Sequence, residues 1–204
     1  MNKFKKTMLV LITALAWSGV SFANDIYVEQ IGDGTTINLT QDGTGNTIGS
    51  SQDFVFVGGN SNTVNVTQSG NSNQLAMLMN GDSTSVTLTT TGNGNNQTVS
   101  CGSSSEPSCS GSILSQTITG DNNIVTQNFA TGANHESKIT ITGDSNVVSH
   151  VSTATGISNV DITLVGGTAL SPNNISVTQS GSTAQSITLS STGNGNTIAI
   201  VQSN

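Results

Sequence analysis

The sequence predicts an all-β protein, a parallel β-solenoid of stacked β-arches with about seven 22-residue coils, following a cleaved signal peptide. Three observations carry this. Gly59, Gly70, Gly81 and Gly92 recur at intervals of 11 residues. Three of the four open the turn pattern Gly-x-x-Asn, at Gly59/Asn62, Gly70/Asn73 and Gly92/Asn95. Between the turns, apolar and polar residues alternate with period two, as half-buried strands do. A short fixed period means that one unit, unable to bury its apolar face alone, is stacked on copies of itself.

Taken in chain order, residues 1–23 read as a secretory signal peptide: Lys3, Lys5 and Lys6 precede the apolar run Met8 to Trp17, and Ser21-Phe22-Ala23 supplies small residues for cleavage. That run is shorter than the roughly 20 residues of a membrane span, and no later segment is apolar enough, so no membrane span is expected. Residues 24–204 form one repeat domain. Ile26-Tyr27-Val28-Glu29-Gln30 already reads as a strand, with turn glycines Gly32 and Gly43 after it. One inner face then shows Val64, Val66 and Gln68, and the next half-unit Leu75, Met77 and Met79. Later strands read Val86/Leu88/Thr90, Ile139/Ile141, Val160/Ile162/Leu164, Ile175/Val177/Gln179, Ile187/Leu189/Ser191 and Ile198/Ile200/Gln202, the last two separated by the turn at Gly193. Each half-unit is about seven residues of strand and four of turn, where Gly and Asn tolerate a left-handed backbone. Two halves make a coil, and coils stacked in parallel at about 4.8 Å bury both inner faces.

The beat slips where residues are inserted. Loop insertions are expected near 49–58, 101–111 and 166–173, and the whole stretch 101–172 is less regular. Gly32, Gly81, Gly132 and Gly181 keep the beat with Thr35, Thr84, His135 and Ala184 where Asn would stand. Cys101 and Cys109 bracket one insertion in an exported chain, which predicts a disulfide pinning a surface loop.

The full chain has formal charge −7, and loss of the signal leaves Lys138 as the only base against 11 carboxylates. With no Arg and no basic cluster, nucleic acid is excluded as a partner. His135 and His150 stand 15 residues apart with no Cys or paired acid nearby, and read as ordinary surface or turn residues. No Ser/His/Asp set, carboxylate pair or phosphate loop can be assembled, so no enzyme, cofactor or metal site is expected. Asp33, Asp82, Asp121 and Asp144 each follow a turn glycine and read as turn formers, since the Gly-Gly-x-Gly-x-Asp pattern of calcium β-rolls is missing.

Parallel stacking gives inward polar residues a role, because a Gln or Asn repeated in register can bond to its neighbours above and below. At Gln41-Asp42-Gly43-Thr44-Gly45-Asn46 and Gln68-Ser69-Gly70-Asn71-Ser72-Asn73 the chain reads Gln-x-Gly-x-x-Asn between alternating apolar residues. This resembles the curlin repeat of curli subunits. Gln30-Ile31-Gly32 and Gln179-Ser180-Gly181 match its first half, and Gln202 stands in the same frame. The resemblance implies a secreted subunit that crosses the periplasm and assembles as a homopolymer into extracellular amyloid fibres of a biofilm matrix. It also implies a nucleator subunit and an outer-membrane secretion pore. Its ladder positions would be Gln30, Gln41, Gln68, Gln179 and Gln202 before the turn, with Asn46 and Asn73 after it. Elsewhere the Gln position holds Met79, Thr90, Ile118, Ala130, Ile141, Ala154 and Ser191.

Two other readings are open. Thr87, Thr89 and Thr91, with Thr140 and Thr142, resemble the outward threonine rows of monomeric ice-binding β-solenoids, although the outward positions vary along the chain. Phe54-Val55-Phe56-Val57 offers an apolar patch for a secreted adhesin module. The strands near Ile26 and Gln202 look uncapped, and an open strand edge invites pairing, which favours the fibre.

Overall fold

A computed structural model describes residues 23–50, 55–101, 109–129 and 134–204. Residues 1–22 of the expected signal peptide 1–23, together with Phe54 and the centres of two expected insertions, lie outside them. The described chain is β1 (Asp25–Ile26), β2 (Val28–Ile31), β3 (Thr36–Asp42), β4 (Thr47–Ile48), β5 (Val55–Gly58), β6 (Thr63–Ser69), β7 (Gln74–Asn80), β8 (Ser85–Thr91) and β9 (Asn96–Cys101). It continues as β10 (Ile113–Thr119), β11 (Ile124–Phe129), β12 (Glu136–Thr142), β13 (Val147–Ser152), β14 (Ser158–Val165), β15 (Asn174–Ser180), β16 (Gln185–Thr192) and β17 (Thr197–Ser203). No helix among these residues is long and apolar enough to cross a membrane.

The strands form a parallel β-solenoid with two walls. The first wall runs β1-β4-β7-β9-β11-β13-β15-β17, with β2 beside β1 and β5 beside β4; the second runs β3-β6-β8-β10-β12-β14-β16. Taking β1 with β2 and β4 with β5 as single layers, the chain climbs through eight layers of the first wall and seven of the second. Register is kept throughout: Val64 stands on Val86, Leu114 and Ser137, and Ile175 on Ile198. Alternation dictates the rest, since Val64, Val66 and Gln68 of β6 are buried while Thr63 is exposed.

Within the stretch 101–172, the described strands β10 to β14 pair as regularly as those of its flanks. Its alternation is hidden because polar residues point inward: Gln116 and Gln127 are buried, while Ile113 and Ile124 face outward. The expected register there shifts as well. Phe129, not Ala130, and Ser152, not Ala154, stand in line with Cys101 and Gln179.

A polar belt therefore divides two apolar clusters, one around Val66, Leu88 and Phe129, the other around Ile139, Ile162 and Val177. Both histidines belong to this belt rather than to the surface, each fully buried. Their rings pack on Phe129 at centroid distances of 5.0 Å for His135 and 5.1 Å for His150. His150 Nε2 lies 3.3 Å from Gln179 Oε1. Burial lowers the His150 pKa to about 4, against the bond to Gln179, which raises it.

Residues 55–58, placed in the first expected insertion, form β5, with Val55 and Val57 in the core and Phe56 half-buried on the outward side; Phe54 lies outside the described residues. Cys101 and Cys109 are joined, as expected, and both are buried.

Candidate assembly surface: side-chain ladders and open ends

The turns that lead from the second wall to the first each place one Asn just before the strand. Asn24, Asn46, Asn73, Asn95, Asn123, Asn146, Asn173 and Asn196 line up along the whole stack. Within the run, each side-chain oxygen accepts from the backbone N–H and the amide of the next Asn, as Asn73 Oδ1 does from Asn95 at 3.1 and 3.0 Å. Each amide also donates to a turn glycine of the following coil, Asn73 to Gly92 and Asn95 to Gly120, both at 2.8 Å. A buried amide is costly unless paired, and here the next coil supplies the partners. Asn24 and Asn173 joined this ladder unannounced: Asn24 has no Gly-x-x-Asn motif before it, and Asn173 follows an insertion that breaks that spacing.

The turn glycines are required by the stack as much as by their own conformation. Gly70 has φ +115°, and a Cβ there would sit 2.0 Å from the Gly92 carbonyl oxygen. Gly43 and Gly92 are similarly hemmed in, as are Gly32, Gly59 and Gly81 of the opposite turns. Gly193, in the last turn, has φ +112° but nothing nearer than 3.7 Å, because no coil follows it. Gly181 lies against Asn204. The residues after these glycines form an exposed row along each edge: on one edge Asp33 N donates to Asn60 Oδ1 at 2.8 Å and Asn60 N to Asp82 at 2.6 Å, and on the other Asn93 N donates to Asp121 at 2.7 Å and Asp121 N to Asp144 at 2.8 Å.

Among the described residues, glutamine-to-glutamine ladders form only at the two ends. Gln41 Nε2 donates to Gln68 Oε1 at 3.0 Å in the second wall, and Gln179 Nε2 donates to Gln202 Oε1 at 3.3 Å in the first. The column above Gln68 turns apolar through Ile118, Ile141 and Leu164. Gln30 is not a rung: it is exposed, stands opposite Val57, and bonds to the carbonyl of Gly32 in its own turn.

At both ends of the described stack the inner face is only partly covered. Inward-facing Ile37 and Leu39 at one end, and Leu189, Ile198 and Ile200 at the other, are only partly buried, whereas their counterparts Val64, Val66, Ile162 and Val177 are fully so. Outward-facing residues send their N–H groups toward the following coil, as Gln74 does to Asn95 and Asn174 to Asn196. The same parity in β17 leaves the N–H groups of Thr197, Ala199 and Val201 directed off the end. The ends differ in charge. Asp25, Glu29, Asp33 and Asp42 lie in the first coil, and no charged side chain follows Asp161.

One outward column is more uniform than the sequence indicated: Thr40, Thr67, Thr89, Thr117, Thr140 and Thr163 stand in register on successive coils. No family model, no curated protein and no solved structure matches the chain.

Proposed function

We propose that the mature chain is the structural subunit of extracellular, curli-like amyloid fibres that serve biofilm matrix and adhesion, growing by end-to-end stacking of solenoids. It is exported through the periplasm and an outer-membrane pore, and a nucleator subunit starts growth. The observation that carries this reading is the pair of open ends, where backbone donors, half-covered apolar rows and glutamine ladders stop without a cap. Solitary solenoids protect such ends with polar or irregular segments, and an unprotected edge pairs with another chain. The Gln-x-Gly-x-x-Asn resemblance points the same way.

The test is to incubate purified chain 24–204 while following Thioflavin T fluorescence and electron micrographs. The expected result is a lag phase abolished by seeds and thin unbranched fibres. A protein that stays monomeric at high concentration contradicts the reading. The aligned threonine column favours a second reading, an ice-binding face, because regularly spaced hydroxyls on a flat wall are what such a face needs. Thermal hysteresis from the monomer, lost in Thr89→Lys and Thr117→Lys, would select it instead.

A further inference from the structure

We propose that successive chains in the fibre are related by a half-turn about the fibre axis, so that the first wall of one chain continues as the second wall of the next. This rests on the fibre reading above and specifies its junction.

The described strands begin and end in the first wall, with eight layers there and seven in the second. A second copy added by translation alone would set its β1 and β2 on β17. Its β3 would then lie two layer spacings, roughly 9.6 Å, from β16. That is too far for hydrogen bonds, and one wall would be missing a strand at every junction. A half-turn removes the gap: the incoming β3 lies on β17, and the incoming β1 and β2 lie on β16. Both backbone ladders then run on without a break.

The side chains at the ends fit this junction. β17 reads Thr197-Ile198-Ala199-Ile200-Val201-Gln202-Ser203 and β3 reads Thr36-Ile37-Asn38-Leu39-Thr40-Gln41-Asp42, with the same residue at the Thr, Ile and Gln positions. Ile198 meets Ile37, Ile200 meets Leu39, and each covers the partly buried face of the other. The two short glutamine ladders become one, Gln179-Gln202-Gln41-Gln68, crossing the junction. Their sense agrees, since in each pair the lower Nε2 donates to the upper Oε1. The next bond in that series, from Gln202 Nε2, needs Gln41 Oε1, a buried atom that has no hydrogen-bond partner within the chain. At the turn, Asn196 Oδ1 meets the N–H of Thr35, a pairing with a precedent in Thr84 N donating to Asn62 Oδ1 at 2.9 Å. Translation would instead put Gln30 over Gln202, and the glutamine run would end there, at Val57.

Polarity follows from charge. Joining two first coils would oppose four carboxylates to four, whereas the last coil carries no charged side chain, so head-to-tail addition is the arrangement that extends without ever setting two first coils together.

The experiment has two arms on the full mature chain. Helical reconstruction of wild-type fibres should give a rotation near 180°, modified by twist, with a rise of roughly 36 Å per chain, seven and a half layers at about 4.8 Å. In parallel, paired cysteines at exposed, outward positions read the register directly: Thr40→Cys/Val201→Cys should oxidise into covalent multimers on non-reducing gels, and Glu29→Cys/Val201→Cys should not. Cross-linking of only the Glu29→Cys pair, with a rise near 38 Å and no rotation, overturns the half-turn while leaving the fibre intact. Absence of any fibre overturns the fibre reading and the junction together.

Discussion

At the scale of single residues, the stability of the stack lies in buried amides whose partners belong to neighbouring coils. Asn95 makes two bonds down to Asn73, one up to Gly120, and accepts two from Asn123. Asn95→Ala removes its side-chain bonds and strands the Asn123 donors, which should cost about 2–4 kcal/mol in chemical denaturation. Asn196→Ala should cost under about 1 kcal/mol in the monomer, because that amide reaches only Thr192 O at 3.4 Å. His150 gives the residue scale its pH dependence. Burial lowers its folded pKa from 6.5 to about 4, so its contribution is complete above 6.5 and is lost as pH falls from there toward 4. The whole loss is about 3 kcal/mol, and denaturation midpoints between pH 7 and pH 5 should fall more steeply in the wild type than in His150→Gln. His135, the other titratable group of the belt, stays in place in both proteins.

At the scale of elements, a turn and its strand are defined by the coil that lies on them. Gly70→Ala places a methyl group 2.0 Å from the Gly92 oxygen and should abolish folding or cost more than about 3 kcal/mol. Gly193→Ala meets only the strain of its positive φ and should cost about 1–2 kcal/mol, measured in the same denaturation series. The strands with inward Val64/Val66 or Ile198/Ile200 were legible in the sequence, since apolar residues recur every second position between Gly-rich turns. β10, β11 and β13 were less so, because their inward Gln116, Gln127 and His150 look polar and their outward Ile113 and Ile124 look apolar. Alternation alone does not say which face is inside when a core carries a hydrogen-bonded belt. The ladder was legible in part for a similar reason: Asn46 and Asn73 sit in intact turn motifs, whereas Asn173 is brought into line only by stacking, across the insertion after Gly167.

At the scale of the whole molecule, two properties bear on the proposed joining of copies. Charge holds them apart: residues 24–204 carry one base and 11 acids. Raising ionic strength from about 10 mM to 150 mM shrinks the screening length from roughly 30 Å to 8 Å, and should shorten the assembly lag several-fold in fluorescence time courses. The proposed junction uses the backbone donors of β17 that point off the described stack, and a single substitution can remove one without touching the chain's own ladder. The Val201 N–H is directed off the end, so Val201→Pro spares the pairing of β17 with β15 and blocks the next addition. The most direct measurement is the length of preformed seeds, by electron microscopy, after incubation with fresh chain. End-to-end stacking predicts that wild-type chain lengthens the seeds and that Val201→Pro, added well below the concentration of free chain, arrests them. Seeds that wild-type chain does not lengthen, or that grow equally fast with the proline variant present, would contradict it.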